Sequence, residues 1–463
     1  MTATESNIAT VFQSQRDYFD SAATRSYEFR IAQLRKLKQA ISLNEQEILN
    51  ALYQDMHKPA FEAFTSEVGV MYEEINHTIK HLKTWMKKTR VHTPLVLHPS
   101  SSKIVFEPLG VVLIIGPWNY PFQLLFAPLV GAIAAGNTTI LKPSDNTKHT
   151  AAIIEKLITE TFESKYISVV SGPGAMVGPI LIEKYKFDHI FFTGSQRVGK
   201  QIMMMAAQHL TPVTLELGGK SPAIVDQHVN IKVAAKRLIW SKFFNAGQTC
   251  VAPDYLLIHK EVKEAFVQEM KKSIIEFYGS SHDENPNLTH IVNDKRFDKL
   301  LSYLPQGTIL HGGGFNREKL FIEPTLIDDV SLNSPIMQEE IFGPILPILT
   351  YSSKNEIIDV VRHNRHPLAC YIFSSDKRFT QFIIDHIEFG GGAINNALVH
   401  LANPDLPFGG VGNSGMGSYH GKHSFEVMSH AKSILSTATF FDPPFKYAPY
   451  TQSKMRWAHK FFK

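Results

Sequence analysis

Two cysteines in 463 residues, Cys250 and Cys370, are too few for a disulfide framework, and their spacing is not that of a metal site. A reducing, cytoplasmic compartment fits best, and no metal is expected. Net charge is almost absent: 47 basic and 43 acidic residues leave +4. That balance gives no clustered basic face and so no case for nucleic acid. No basic segment followed by an apolar run stands in residues 1–10, so no secretory leader is expected. The longest nearly apolar run, 122–136, would reach only about 22 Å as a helix. The hydrocarbon core of a bilayer is roughly 30 Å thick, so this run reads as a buried helix. Internal repeats and low-complexity segments are lacking too.

What is present describes a globular chain, 44% hydrophobic and 19% charged. At roughly 150 residues per domain there is room for about three domains' worth of core. Phe29, Ile31, Leu34, Leu37, Ile41, Ile48 and Leu52 recur at helical spacing, which predicts one or two amphipathic helices over 26–53. Residues 62–89 repeat the pattern. Residues 91–107 read as a strand, a turn at Pro99-Ser100-Ser101-Ser102, and a second strand.

From Gly110 onward apolar runs at 111–115, 138–141, 167–170, 189–192, 213–217 and 223–225 alternate with helical segments near 122–135, 150–162 and 197–209. That alternation predicts an α/β fold with a doubly wound parallel sheet. The same grammar repeats over 232–420, with strands at 255–258, 345–349 and 369–373, and predicts a second α/β domain. A strand candidate at 433–440 and a Pro443-Pro444 break precede the tail. Plotted as a helix, the tail sets Arg456, His459, Lys460 and Lys463 on one side and Met455, Trp457, Ala458, Phe461 and Phe462 on the other. Such a helix can lie weakly in a membrane interface. The more ordinary reading, and the favoured one, is an end that packs on its own subunit or a partner.

A sheet of this kind binds ligands beyond the carboxyl ends of its strands, where helix N-termini offer anion sites. Phe192-Thr193-Gly194-Ser195-Gln196-Arg197-Val198-Gly199 opens a helix with two glycines and a hydroxyl, and is the candidate pyrophosphate contact. Lys142 and Asp145 stand where an adenosine ribose would be read. The acid suits a free 2′-hydroxyl and the lysine tolerates a 2′-phosphate, so both NAD and NADP stay open. Gly410, Gly412 and Gly415 spell G-x-G-x-x-G, but no strand precedes them and no apolar helix follows, so no phosphate site is assigned. Glu216, in Leu215-Glu216-Leu217-Gly218-Gly219-Lys220, is a possible base. Cys250, closing Gly247-Gln248-Thr249-Cys250, is a possible nucleophile.

Taken together these stretches resemble the aldehyde dehydrogenase superfamily over about residues 61–430. The matching blocks are Pro117-Trp118-Asn119-Tyr120-Pro121, Leu141-Lys142-Pro143-Ser144, Phe192-Thr193-Gly194-Ser195, the Glu216 and Cys250 blocks, and Glu339-Glu340-Ile341-Phe342-Gly343-Pro344. Six blocks in order are far more specific than one. The stretch 407–417 looks most like the class 3 and fatty aldehyde branch. The resemblance implies an aldehyde dehydrogenase-like fold with a cofactor-binding domain (1–90 and 108–212) and a catalytic domain (213–420). It also implies a β arm (91–107 and 421–440) joining two subunits in a homodimer, and a tail (441–463).

The resemblance further implies that Cys250 is the nucleophile, Glu216 the base and Asn119 an oxyanion donor. Trp118, Lys142, Ser144, Asp145, Gly194, Ser195, Gly199, Leu217, Gly218, Glu340 and Phe342 would hold NAD or NADP. Tyr120 and His400 are candidates on the substrate side. The position of Asp145 often holds Glu in relatives, which keeps cofactor preference open, and the apolar C-terminal anchor of membrane-bound members is absent.

These residue types suit the chemistry. A thiol of ordinary pKa about 8.5 is already a few per cent thiolate at neutral pH and can attack an aldehyde. The side-chain amide of Asn119 and the backbone N–H of Cys250 could steady the oxyanion, and Glu216 could activate the water that hydrolyses the thioester. The substrate expected is a lipophilic aldehyde, medium or long aliphatic or aromatic. A lone cysteine is more often a buried small hydrophobe. That reading is kept for Cys370, while the ordered blocks reverse it for Cys250. Transfer of the thioester to CoA is the alternative chemistry, against which a retained Glu216 speaks. A catalytically silent scaffold is the alternative class, against which the three residues together speak.

Overall fold

Val111–Ile115 is a strand buried along nearly its whole length, and the six-stranded sheet around it frames the cleft described below. In spatial order the sheet runs Gly415–Met416, Val213–Glu216, His189–Thr193, Val111–Ile115, Thr138–Lys142 and Ile167–Val169. All pairings are parallel except that of Gly415–Met416. Both faces are covered. Val112, Ile114 and Leu141 pack with Leu125, Phe126 and Ile133, while Val111, Leu113 and Ile140 pack with Ile8, Leu181 and Ile202. A strand buried on both sides needs apolar residues at every position, which is why these read as unbroken runs. The structure is a computed structural model describing residues 5–279 and 285–462. Residues 1–4, the tail residue Lys463 and the side chain of Phe461 lie outside the described residues.

The second sheet has seven strands, ordered Thr308–His311, Thr325–Asp328, Ile345–Tyr351, Tyr255–His259, Pro222–Val225, Ala369–Phe373 and Gly391–Ile394. Only Thr308–His311 runs antiparallel to its neighbour. The alternation of strands and helices thus builds the parallel α/β sheets expected.

Two boundaries move. Val213–Glu216 pairs with His189–Thr193, so it belongs to the first sheet, and the second begins at Pro222–Val225. The helix Gly421–Val427, expected in the arm, packs on Gln123–Ala135 so closely that a Cβ on Gly131 would lie 2.8 Å from Ser424 Cβ. The physical reason is the same for both. A strand or helix joins the unit that supplies its partner, and partners far away in the chain leave no local mark.

The helical N-terminal part contains Glu5–Asp20, Tyr27–Leu43 and Glu45–Met56. Ala60–Ala63 then runs through one wide π turn, Phe64–Val68, into Gly69–Trp85. The arm is a three-stranded antiparallel sheet of Thr89–Val91, Ser100–Pro108 and Ser429–Thr437. Its first strand is shorter than the sequence predicts. Pro94 has no N–H for a ladder, and Leu95–Leu97 close instead into a 3₁₀ turn. The last strand starts four residues earlier than expected and faces solvent over most of its length. Gln452–Phe462 is the tail helix, and its Met455 and Trp457 remain 60% and 64% exposed, so they are not buried on their own subunit. Among the described residues no helix is long and apolar enough to cross a membrane.

Candidate active site

Four strands of the first sheet, ending at Ile115, Lys142, Thr193 and Glu216, deliver their carboxyl ends to a cleft of about 1390 Å³. Glu340, Phe342 and Cys250 reach it from the other unit. The position agrees with the rule that open α/β sheets bind ligands beyond their strand ends.

Cys250 sits half-buried after a tight backbone reversal. Asn245, Ala246 and Gly247 are three successive residues with φ of 54°, 51° and 70°. At Gly247 a Cβ would lie 2.3 Å from the Gly343 carbonyl oxygen, so only glycine fits. Asn245 Nδ2 donates to the carbonyls of both Gln248 and Asn119, each at 3.0 Å. Asn119 Nδ2 in turn donates to the Gln248 carbonyl at 3.0 Å, which commits one of its two N–H bonds and leaves the other. Both asparagines are buried. Burial pushes the Cys250 thiol up, and the carboxyls of Glu340 and Glu216 push it further; the backbone N–H groups of Cys250 and Val251 oppose this only partly.

Glu216 ends its strand with only 2% of its surface exposed, and neither carboxyl oxygen is hydrogen-bonded by the chain. Burial alone raises its pKa well above the ordinary carboxylate value. The strand end is fixed by the glycine-rich loop: Gly415 pairs with Glu216, and Leu217 N–H donates to the Ser414 carbonyl at 3.0 Å. A Cβ on Gly415 would lie 2.3 Å from the Leu215 carbonyl oxygen. These glycines let the backbones approach closely at the end of the Glu216 strand.

The rest of the cleft has the shape and donors of a dinucleotide site. Ser195 caps the helix Gln196–Ala207 through Val198 N–H, and Gly194 lines the cleft beside that N-terminus, a natural anion site. Lys142 is buried, not superficial. Its Nζ donates to the Pro143 carbonyl at 2.9 Å and lies 3.8 Å from Asp145 Oδ1, while burial lowers its pKa. Ser144 lines the same end and accepts from Asn146 N–H. Gly218 lies hard against Glu340, where a Cβ would stand 2.0 Å from Oε2, so only glycine fits there. Burial and then Asp254 raise the Glu340 pKa to about 8, against the pull of Arg296 and Gly219 N–H.

Glu340 is held by braces that the sequence reading did not assign. Lys220 forms a buried ion pair with Asp254 and donates to the carbonyls of Ile336 and Glu339. Asp254 accepts from Ile341 N–H at 3.0 Å. Arg296 donates to the Ile341 and Phe342 carbonyls and lies over the Phe342 ring, which meets Trp118 edge to face at 5.2 Å. Lys220 stood inside a quoted block and was a findable signal, whereas Arg296 belongs to no motif.

Cys250, Glu216, Asn119, Trp118, Lys142, Ser144, Asp145, Gly194, Ser195, Leu217, Gly218, Glu340 and Phe342 all line this one cleft. Gly199 does not. It lies behind the wall, where its missing Cβ leaves room for Leu217 Cδ2. Tyr120 and His400 do not line it either. Tyr120 is buried under the Cys250 segment, its hydroxyl 2.6 Å from Thr249 Oγ1. His400 stands among Tyr371 and Phe408, with neither ring nitrogen hydrogen-bonded and its pKa lowered by burial to about 4. Among the described residues no cluster of His, Cys, Asp or Glu is arranged to hold a metal ion.

Comparison with known proteins agrees with this geometry. The sequence profile described as "Aldehyde dehydrogenase family" matches residues 1–434. The chain is 49% identical over 454 residues to the 4,4'-diaponeurosporen-aldehyde dehydrogenase of Staphylococcus aureus, covering 98% of both chains. It is 43% identical over 430 residues to the dimeric NADP-preferring aldehyde dehydrogenase of Mus musculus, covering 93% of this chain and 94% of the relative. A structure described as the substrate-bound state of Staphylococcus aureus AldH superposes with a TM-score of 0.96 at 48% identity, over 98% of this chain and 99% of that one. This chain belongs to the aldehyde dehydrogenase family and is an NAD(P)-dependent aldehyde dehydrogenase.

Proposed function

We propose that the cleft oxidises a lipophilic aldehyde to its carboxylic acid, with Cys250, Asn119 and Glu216 in separate roles. The observation that carries this reading is the bond from Asn119 Nδ2 to the carbonyl of Gln248, which sets an uncommitted amide N–H beside the Cys250 segment. Cys250 Sγ passes its proton to solvent water and attacks the aldehyde carbon as the thiolate, the carbonyl π pair moving to the oxygen. The oxyanion of the thiohemiacetal accepts from Asn119 Nδ2 and from Cys250 N–H, each donor being worth about 3 kcal/mol. Trp118, Lys142, Ser144, Asp145, Gly194, Ser195, Leu217, Gly218, Glu340 and Phe342 would hold NAD or NADP, with Gly199 giving the helix its close approach. When bound, the cofactor supplies a hydride acceptor and a positive charge near the thiol. Glu216, once ionised, takes a proton from water as that water attacks the Cys250 thioester, releasing the acid.

Support for an apolar substrate comes from the name of the Staphylococcus relative, 4,4'-diaponeurosporen-aldehyde dehydrogenase. The 213–420 segment then supplies the nucleophile while the first sheet holds the cofactor. Ser429–Thr437, an exposed edge of the arm, pairs with a second copy in a homodimer, in line with the name of the mouse relative. The exposed tail helix gives a cytoplasmic enzyme a weak contact with an anionic membrane surface. The test is cofactor reduction measured with a panel of aldehydes, both cofactors and added CoA. Turnover confined to short polar aldehydes, or dependent on CoA, overturns the reading.

A further inference from the structure

Beneath Asn119 lies a group of buried charges with no part in the scheme above. Lys58 is fully buried at the corner between Glu45–Met56 and Ala60–Ala63. Its Nζ pairs with Glu67 Oε1 at 2.5 Å, donates to the Asn119 carbonyl at 3.1 Å, and lies 4.3 Å from the centre of the Tyr120 ring. Glu67 Oε2 accepts from the N–H groups of Phe122 and Gln123. Lys58 and Glu67 therefore grip both sides of the turn that carries Asn119.

Glu62 completes the arrangement from the cysteine side. Its Oε1 accepts from Asn245 N–H and Thr289 Oγ1, both at 2.9 Å, and Asn245 Nδ2 ties the Asn119 and Gln248 carbonyls together. Glu62 and Glu67 are five residues apart, and between them the helix widens from i→i+4 to i→i+5 hydrogen bonding. The single π turn of the chain's described residues, Phe64–Val68, lies there. Such turns cluster at functional sites. An ion pair with both members out of water gains little net stability, because desolvation offsets attraction. Its placement, on the carbonyl of an oxyanion donor, calls for another purpose.

We infer that Lys58, paired with Glu67, is a positioning residue for the reaction: its ammonium fixes the Asn119 main chain, so that the uncommitted Nδ2–H stays aimed beside Cys250. The inference rests on the oxyanion role proposed for Asn119. Lys58 touches neither substrate nor cofactor and acts through Asn119 alone. A displacement of about 1 Å at a reacting centre can cost about 10²-fold in rate.

The test is the rate of the first turnover, read as the burst of reduced cofactor, in a double-mutant cycle on the full chain. Lys58→Met lowers the burst rate by about tenfold to a hundredfold, with the cofactor Kd within about threefold of the parent. Lys58→Arg restores part of the loss. Adding Lys58→Met to Asn119→Ala brings little further loss, because the first residue works through the second. Should Lys58→Met fail to fold through the unpaired Glu67, Lys58→Met/Glu67→Gln removes both charges and keeps an acceptor for Phe122 and Gln123. A burst within twofold of the parent in a folded Lys58 variant, or losses that multiply fully with Asn119→Ala, overturns the inference. A burst unchanged in Asn119→Ala itself overturns instead the oxyanion role on which it rests.

Discussion

The side-chain amide of Asn119 and the main-chain carbonyl of Gln248 are joined by a 3.0 Å hydrogen bond across 129 residues of sequence. That bond fixes the end of the first sheet's leading strand to the segment that ends at Cys250. Asn119 and the Cys250 segment, from two structural units, are thereby tied together, and on the proposed reading the chemistry at one depends on the placement of the other.

Cys250→Ala is expected to abolish aldehyde oxidation while the cofactor Kd stays within about threefold, since nothing that grips the nucleotide is removed. Steady-state turnover and cofactor fluorescence titration check the two halves. Retained turnover contradicts the nucleophile assignment.

Glu216 gives a pH signature in stability. Its folded pKa is raised by burial above the unfolded value of about 4.3. Between those two values the native chain holds a proton that the unfolded chain has lost, so stability falls as pH rises through that window. Glu216→Gln removes this contribution. Its melting temperature, relative to the parent, should climb between pH 5 and pH 8; parallel curves would show that the carboxyl is not buried as described.

Asp254→Ala leaves Lys220 buried without its counter-ion and frees Ile341 N–H. A loss of about 3–5 kcal/mol in unfolding free energy is expected, together with a raised KM for the cofactor because Glu340 loses its brace. Urea unfolding and cofactor titration read these out. A loss below about 1 kcal/mol would mean that the pair is relaxed or hydrated.

The tail separates two occupants. Met455 and Trp457 stay exposed, with Arg456, His459 and Lys460 on the same short helix. Full-length chain should pellet with vesicles rich in anionic lipid, less so as salt rises, and chain lacking residues 445–463 should not. Equal pelleting ends the membrane proposal, and a change from dimer to monomer on truncation assigns the helix to the partner subunit instead.

Much of the fold was legible because a strand covered on both faces must be apolar throughout. Val111–Ile115 and Ala369–Phe373 were bounded to the residue. Lys142, Gly194, Ser195 and Glu216 stand out in the sequence because they sit at or just beyond strand ends, where an apolar run gives way to polar residues. Connections made through space left less trace. The return of Gly415 to Glu216, the crossing of Arg296 to Ile341 and Phe342, and the burial of Lys58 under Asn119 join distant parts of the chain by one or a few hydrogen bonds each. Tyr120 and His400 lie outside the lining of the cleft that holds Cys250 and Glu216, packed against Thr249 and Tyr371 respectively.

On the proposed reading catalysis is divided between Cys250, which makes the acyl-enzyme, and Glu216, which breaks it. The most direct test is rapid mixing of Glu216→Gln with aldehyde and cofactor, followed by mass analysis of the peptide bearing Cys250. The expected result is a burst of reduced cofactor close to one per active site, slow turnover afterwards, and an acyl group on Cys250. No burst, or a burst that leaves Cys250 unmodified, would contradict it.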